Sequence, residues 1–240
     1  MNAYLSRIGA PPGATLAELQ LAHLRSVPFE NLSIHLGQPI VLREDALLDK
    51  IVQQRRGGFC YELNGAFAAL LTDLGHHVTR HQARVHTPDG YGPPFDHMAL
   101  IVDEQWLVDV GFGAFSHHPL PARPGTHPDP AGTFTITRAE HGDLEVALDG
   151  KPEYRLDPRP YALADFAPTC WWQQTSPDSH FTRSLTCSRL TETGRITLSG
   201  ERLITTTGGQ RHEQVLGKDD ILPAYRTHFG ITLDRVPTVG

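Results

Sequence analysis

Over the first third of the chain, apolar residues recur every three or four positions; after Val78 they alternate or gather in short blocks. The first period is that of a helix with one buried face, and the second that of strands. Leu16, Leu19, Leu21 and Leu24 form a mostly helical stripe. Thr15 before it is a good N-cap, and Glu18 three residues on completes a capping-box pattern. Pro28-Phe29-Glu30-Asn31-Leu32 breaks the stripe. Ala46, Leu47, Lys50 and Ile51 predict a second short helix over 45–54, which Gly57-Gly58 ends. Leu63, Phe67, Leu70, Leu71 and Leu74 predict a third from Tyr61 onward, with Gly75 as its C′ residue.

Met98–Val102 and Trp106–Val110 flank Asp103-Glu104-Gln105, a hairpin pattern whose strands are apolar on both faces and therefore expected to be buried. Residues 116–132, rich in Pro, Gly and His, read as a long surface loop. Further strands are expected over 133–146, 184–187 and 195–206, and one short helix over 219–229. Helices first, then strands, then a small mixed tail predict an α+β protein with segregated modules.

The 240 residues are 39% hydrophobic and 20% charged, which fits a folded chain with a buried core. A net charge of −6, with Arg55-Arg56 the only paired basic residues in view, argues against nucleic acid as a partner. No apolar run reaches membrane-span length, and the N-terminus lacks an apolar signal-peptide core, so no membrane partner is expected. Three cysteines make no disulfide framework and predict a reducing, cytoplasmic compartment.

The chemistry centres on Arg56-Gly57-Gly58-Phe59-Cys60-Tyr61-Glu62-Leu63-Asn64. Cys60 stands behind two glycines at the start of a helix, where unpaired N–H groups and the positive end of the helix dipole favour thiolate. The glycines remove bulk beside the sulfur and are read as admitting a substrate. Cys170, beside Trp171-Trp172, and Cys187, in a strand, read as packing residues. His97 opens a buried strand, and Asp109 is a carboxylate between Val108 and Val110 that needs a partner. A three-residue loop pairs Val102 with Trp106 and Ala99 with Asp109. His97 and Asp109 then share one face, roughly 7–8 Å apart at the backbone. A two-residue loop puts them on opposite faces. Thiol, imidazole and carboxylate together meet the logic of an activated nucleophile with a lowered thiol pKa. Gly111-Phe112-Gly113 follows Asp109, with backbone amides that could face an acyl or phosphate group. No Cys/His pair frames Cys60 as a zinc ligand, and no metal is expected.

These segments resemble the arylamine N-acetyltransferases. The match runs through Pro28-Phe29-Glu30-Asn31-Leu32, the nucleophile segment around Cys60, His97-Met98, Val108-Asp109-Val110-Gly111-Phe112-Gly113, and Ser176-Pro177-Asp178-Ser179-His180-Phe181. The resemblance implies an N-terminal helical bundle (1–80) carrying the nucleophile, a central antiparallel β-barrel (81–183) carrying His and Asp, and a small C-terminal α/β lid (184–240), around a cysteine-proteinase-like catalytic core. It implies no bound cofactor, acetyl-CoA as cosubstrate, and a small aromatic amine as acceptor, with a homodimer left open. Cys60 is then the acetylated nucleophile, His97 the base and Asp109 its orienter. Gly111, Phe112, Gly113 and Ser176 are the expected substrate and CoA contacts. An Arg25–Glu30 ion pair is expected near the site, and Arg55, Arg56 and Arg183 are the arginines considered for the CoA phosphates. The His97–Asp109 interval and the tail after Ser184 are short for the family, which implies a trimmed hairpin and a reduced lid. The same triad also suits an amide synthase that closes a ring on a carrier-bound acyl chain, a transglutaminase-like hydrolase, or a binding protein with a decayed site.

Overall fold

In the computed structural model, which describes residues 2–239, the N-terminal third holds helices α1 (Asn2–Ile8), α2 (Leu16–Ser26), α3 (Leu32–Leu36), α4 (Glu44–Leu48) and α5 (Cys60–Asp73). The Thr15–Glu18 capping box forms: the Glu18 N–H donates to the Thr15 hydroxyl at 3.3 Å and the Thr15 N–H to Glu18 Oε2 at 2.7 Å. The predicted helix over 45–54 is α4 continued by a π-helical turn, Asp49–Gln53. The sequence pattern leaves out α1, whose seven residues span two turns, too few for a period to show. Its Tyr4, Leu5 and Ile8 pack into the helical core with Leu19, Leu47 and Phe67. Helix α5 is buried on every face from Cys60 to Leu71, so it is the central post of the fold. It stops at Gly75, whose φ of +94° suits glycine, and whose N–H donates to Thr72 O.

Strands β1 (Phe29–Glu30), β2 (Val78–Thr87), β3 (Gly90–Tyr91), β4 (His97–Val102), β5 (Trp106–Val108), β6 (Leu120–Pro121), β7 (Gly125–Asp129), β8 (Gly132–Arg138), β9 (Leu144–Leu148) and β10 (Lys151–Tyr161) follow. Eight of them form an antiparallel sheet in the order β6-β5-β4-β2-β10-β9-β8-β7, with β3 attached to β2. The sheet curls into a nearly closed barrel around Phe115, Phe134, Tyr154 and Leu156. The stretch 116–132 is therefore not a plain loop, since it carries β6 and β7. Both are edge strands, and β7 is largely exposed, so neither has the apolar alternation that marks a strand. Strand β10 also escapes the pattern, because Pro152, Pro158 and Pro160 read as breakers. The sheet accommodates them by register shifts between Pro152 and Tyr154 and between Leu156 and Pro160.

The remainder holds α6 (Ala167–Thr175), α7 (His180–Arg183), β11 (Cys187–Leu190), β12 (Gly194–Ser199), β13 (Arg202–Thr207), β14 (Gln210–Val215) and α8 (Ile221–Phe229). A second sheet runs β1-β11-β12-β13-β14, so Phe29–Glu30 joins it from the N-terminal third. Helix α8 covers it through Ala224, Tyr225 and Phe229, against Leu32, Cys187 and Leu198. Among the described residues no helix is long and apolar enough to cross a membrane.

Candidate active site

The β4–β5 reversal has the three-residue form. Val102 pairs with Trp106 and Leu100 with Val108, while Asp103 and Glu104 take left-handed backbone at φ +52° and +57°. Continuing that register sets Asp109 opposite Ala99, on the face of His97. His97 Nε2 donates to Asp109 Oδ2 at 2.6 Å, with both side chains sealed from solvent. The other carboxylate oxygen, Oδ1, accepts from Asn64 Nδ2 and from the Gly111 N–H, each at 2.9 Å. Asp109 thus stays stable in an apolar strand because three donors satisfy it. Phe112 meets the His97 ring edge-on at 5.1 Å, and Tyr154 lies 5.4 Å from it, which holds the imidazole in place.

Asn64, not singled out from the sequence, couples the two halves of the site. It lies one turn after Cys60 and donates also to Met98 O at 2.6 Å, while its Oδ1 accepts the Val110 N–H at 3.0 Å. A fully buried amide on an apolar helix face was the available signal, since such a group requires partners.

Cys60 is the first residue of α5, and the Phe59 N–H before it donates to Glu62 Oε2 at 3.2 Å. The thiol and His97 line one cavity of about 280 Å³, walled by Phe29, Phe112 and Phe181. With Nε2 committed to Asp109, Nδ1 is the imidazole nitrogen left uncommitted. The helix position favours thiolate, and the surroundings of the thiol oppose it. Burial pushes the thiol well up, and the acidic neighbours Asp96 and Asp109 add to this against the opposing Met98 N–H. A lone thiolate in this pocket loses its hydration, and that loss opposes ionisation. Burial likewise pushes up the thiols of Cys170, packed beside Phe59 and Tyr61, and of Cys187, in the second sheet's core.

The two glycines before Cys60 are required by packing inside the protein, one against backbone and one against a side chain. A Cβ at Gly57 would collide with the Pro28 carbonyl, and one at Gly58 would lie 2.6–2.8 Å from Glu62 side-chain atoms. Their closeness lets Gly58 bridge to Phe29, and this brings Arg56 to Glu30. The ion pair of Glu30 is accordingly with Arg56 at 2.9 Å, not with Arg25. Burial alone pushes the Glu30 carboxyl up. Lys50, Arg56 and the Leu32 N–H overcome that and hold it below its ordinary value. Arg56 also donates to Gln38 and Ser33, so it is a buried structural group and not free for a phosphate.

Gly111 and Phe112 line the cavity. The Gly111 N–H is already given to Asp109, and a Cβ on Gly111 would press on the backbone of Cys60. Gly113, at φ +94°, turns the chain away beside Phe29. Ser176 caps the end of α6 and accepts the Asp178 N–H, outside the cavity lining. From the same segment His180 and Phe181 reach the cavity instead. A further chain that sequence reasoning missed runs from Ser179 through Gln173 to Asp96, at 2.6 and 2.7 Å, and braces the residue before His97.

Residues 14–238 match the family model described as N-acetyltransferase. The arylamine N-acetyltransferase of Mycolicibacterium smegmatis is 34% identical over 97% of this chain and 92% of its own length. The arylamine N-acetyltransferase / N-hydroxyarylamine O-acetyltransferase of Salmonella typhimurium is 32% identical over 98% and 90%. The structure of Mycobacterium marinum arylamine N-acetyltransferase in complex with CoA superposes with a TM-score of 0.87 at 30% identity, over 96% of this chain and 92% of that one.

Proposed function

This chain belongs to the arylamine N-acetyltransferase family, and from that premise we propose that it carries acetyl from acetyl-CoA to the nitrogen of an arylamine, arylhydroxylamine or arylhydrazine through an acetyl-Cys60 intermediate. The observation that carries the reading is the His97–Asp109 hydrogen bond at 2.6 Å in the cavity that also holds Cys60. In the first half-reaction His97 Nδ1 takes the thiol proton as the sulfur attacks the thioester carbonyl. Thiolate and imidazolium then arise as a pair, which offsets the burial that opposes a lone thiolate. The new Cys60 S–C bond replaces the C–S bond to CoA, whose thiolate receives the proton from His97. In the second half-reaction the neutral amine nitrogen attacks the acetyl-cysteine, its proton passes to His97, and the Cys60 thiol is restored. Asp109 keeps Nδ1 directed at the sulfur and stabilises the imidazolium.

Acetyl-CoA as donor is supported by the M. marinum relative's complex with CoA. An aromatic acceptor is supported by the three phenylalanine walls, which suit a flat ring in a cavity of about 280 Å³. The test is intact-mass spectrometry after brief exposure to acetyl-CoA without acceptor, on the wild type and Cys60→Ser. The expected result is one acetyl group on the wild type, discharged by an added arylamine or hydrazine, and no thioester on the variant. A wild type that stays unacetylated while Cys60 still alkylates readily overturns acetyl-CoA as donor and returns the amide-synthase and hydrolase readings.

A further inference from the structure

Arg7, Arg55, Arg189 and Arg226 converge, with Ser26 and His228, on an open cleft of about 300 Å³. The cleft shares no lining residue with the cavity at Cys60. Two helix ends meet there. Arg7 donates to Ser26 O at 2.9 Å, at the end of α2, and also to Ile51 O at 3.1 Å and Arg55 O at 3.4 Å. Arg189 donates to Arg25 O at 2.5 Å and to His228 O at 2.7 Å, at the ends of α2 and α8. Satisfying helix C-termini explains part of this basic grouping, but each terminus supplies only about half a negative charge. Four guanidinium groups supply four positive charges.

Among the described residues no carboxylate makes up the difference. The lining contains neither Asp nor Glu, and the ion-paired arginines are others: Arg43, Arg56, Arg155, Arg159, Arg202 and Arg211. The deficit stands out in a chain whose net charge is −6. Burial, then the charges of Arg55 and Arg189, pull Arg7 down to about 10, against the Tyr4 phenol's opposing effect. The Arg189 Nε is buried and has no hydrogen-bond partner. Arg55 is held in left-handed backbone at φ +54°, a conformation that costs energy in a non-glycine residue.

We propose that this cleft binds a phosphate-bearing ligand, with the exposed Arg55 and Arg226 as its contacts and Arg7 and Arg189, whose donors are held by backbone carbonyls, adding positive charge behind them. Guanidinium forks match phosphoryl oxygens two at a time, and a pyrophosphate offers enough oxygens and charge to engage both contacts. The phosphates of CoA and those of a free phosphorylated metabolite present the same chemistry. The inference does not rest on the acetyl-transfer reading.

The probe is inorganic pyrophosphate, titrated calorimetrically at fixed ionic strength, with sodium sulfate as the control for general anion screening. The variants are Arg55→Gly, which suits the left-handed backbone, and Arg226→Gln, on the exposed side of α8. Both remove charge without touching a buried hydrogen bond, and thermal unfolding checks that the double variant folds. Wild type is expected to bind pyrophosphate saturably and more tightly than sulfate. The double variant is expected to bind it at least about tenfold more weakly, since one lost charge-assisted contact has that size. No saturable binding at millimolar pyrophosphate, or equal affinity in a folded double variant, overturns the proposal. CoA distinguishes the sources. Competition with pyrophosphate and a parallel loss in the variant identify the phosphate as that of CoA. CoA binding that does not change while pyrophosphate binding is lost identifies a separate phosphorylated ligand.

Discussion

Gly111 stands where the hairpin leaving β5 passes the first turn of α5, and adding one methyl group there tests how tightly the site is built. An ideal Cβ at this position lands 2.8 Å from Cys60 Cα, 2.9 Å from Cys60 O and 2.7 Å from Asn64 Nδ2. Carbon atoms in contact settle at about 3.5–4.0 Å, so alanine must open the gap by roughly 1 Å. Two of the atoms met are backbone of Cys60, and the third donates to Asp109. The strain therefore falls on Cys60 and on the hydrogen bonds that hold Asp109. Overpacking of this kind costs about 1–3 kcal/mol. A displacement of about 1 Å at reacting groups costs on the order of a hundredfold in rate. Gly111→Ala is expected to lower the single-turnover rate of acetylation by acetyl-CoA about a hundredfold, and to lower the urea midpoint. Gly113→Ala is the control. Its Cβ meets nothing nearer than the Phe29 ring at 3.9 Å, but φ is +94°. It should lose about 1–2 kcal/mol from left-handed backbone and keep an acylation rate within a few-fold of wild type. A Gly111→Ala enzyme that acetylates at the wild-type rate with an unchanged midpoint refutes the argument that the hairpin and α5 are in fixed contact.

Arg56→Ala leaves the buried Glu30 carboxylate without its partner and is expected to cost about 3–5 kcal/mol, read from denaturant unfolding; a loss under about 1 kcal/mol would show that the pair is dispensable. His23, fully buried and bonded through Nδ1 to the Tyr4 hydroxyl, is held by burial and the Arg7 charge down to about 3. The unfolded chain takes up that proton below about pH 6.5 and the folded chain does not. His23 therefore removes roughly 1.4 kcal/mol of stability per pH unit as pH falls from about 6.5 toward 3. His23→Gln should flatten that slope in urea midpoints measured across the range, and an unchanged slope would count against the reading. Thr15→Ala removes the α2 cap and is expected to cost about 1 kcal/mol, measured as a shift in urea midpoint with no change in acetylation rate.

The parts of this protein legible in its sequence are those in which neighbouring residues decide the outcome. The Thr15 cap, the start of α5 at Cys60 and its stop at Gly75 are local, because each is set by hydrogen bonds within one turn. The His97–Asp109 partnership was accessible as one of two alternatives, since a three-residue loop carries the register from Trp106 to Asp109 and a two-residue loop does not; the structure has the three-residue form. Edge strands β6 and β7 and the proline-bearing β10 were not accessible, because partners distant in sequence hold them and they lack a buried apolar face or an unbroken run.

Tertiary structure alone decided the environment of each group. Arg56 and not Arg25 meets Glu30 because Gly57 lets the Pro28 backbone come close, a contact between segments nearly 30 residues apart that composition does not encode. Asn64 became a member of the site only when α5 was placed against β4 and the residues after β5. The state of the Cys60 thiol shows the same limit. Its position at a helix N-terminus is written in the chain and favours thiolate, but the energy of a charge depends on the hydration it loses. Burial in the assembled cavity pushes the thiol up. The sequence by itself pointed to Cys60, His97 and Asp109; the fold determined which further groups joined them, how far each was from water and which partner it met, because desolvation and contact are properties of the packed chain.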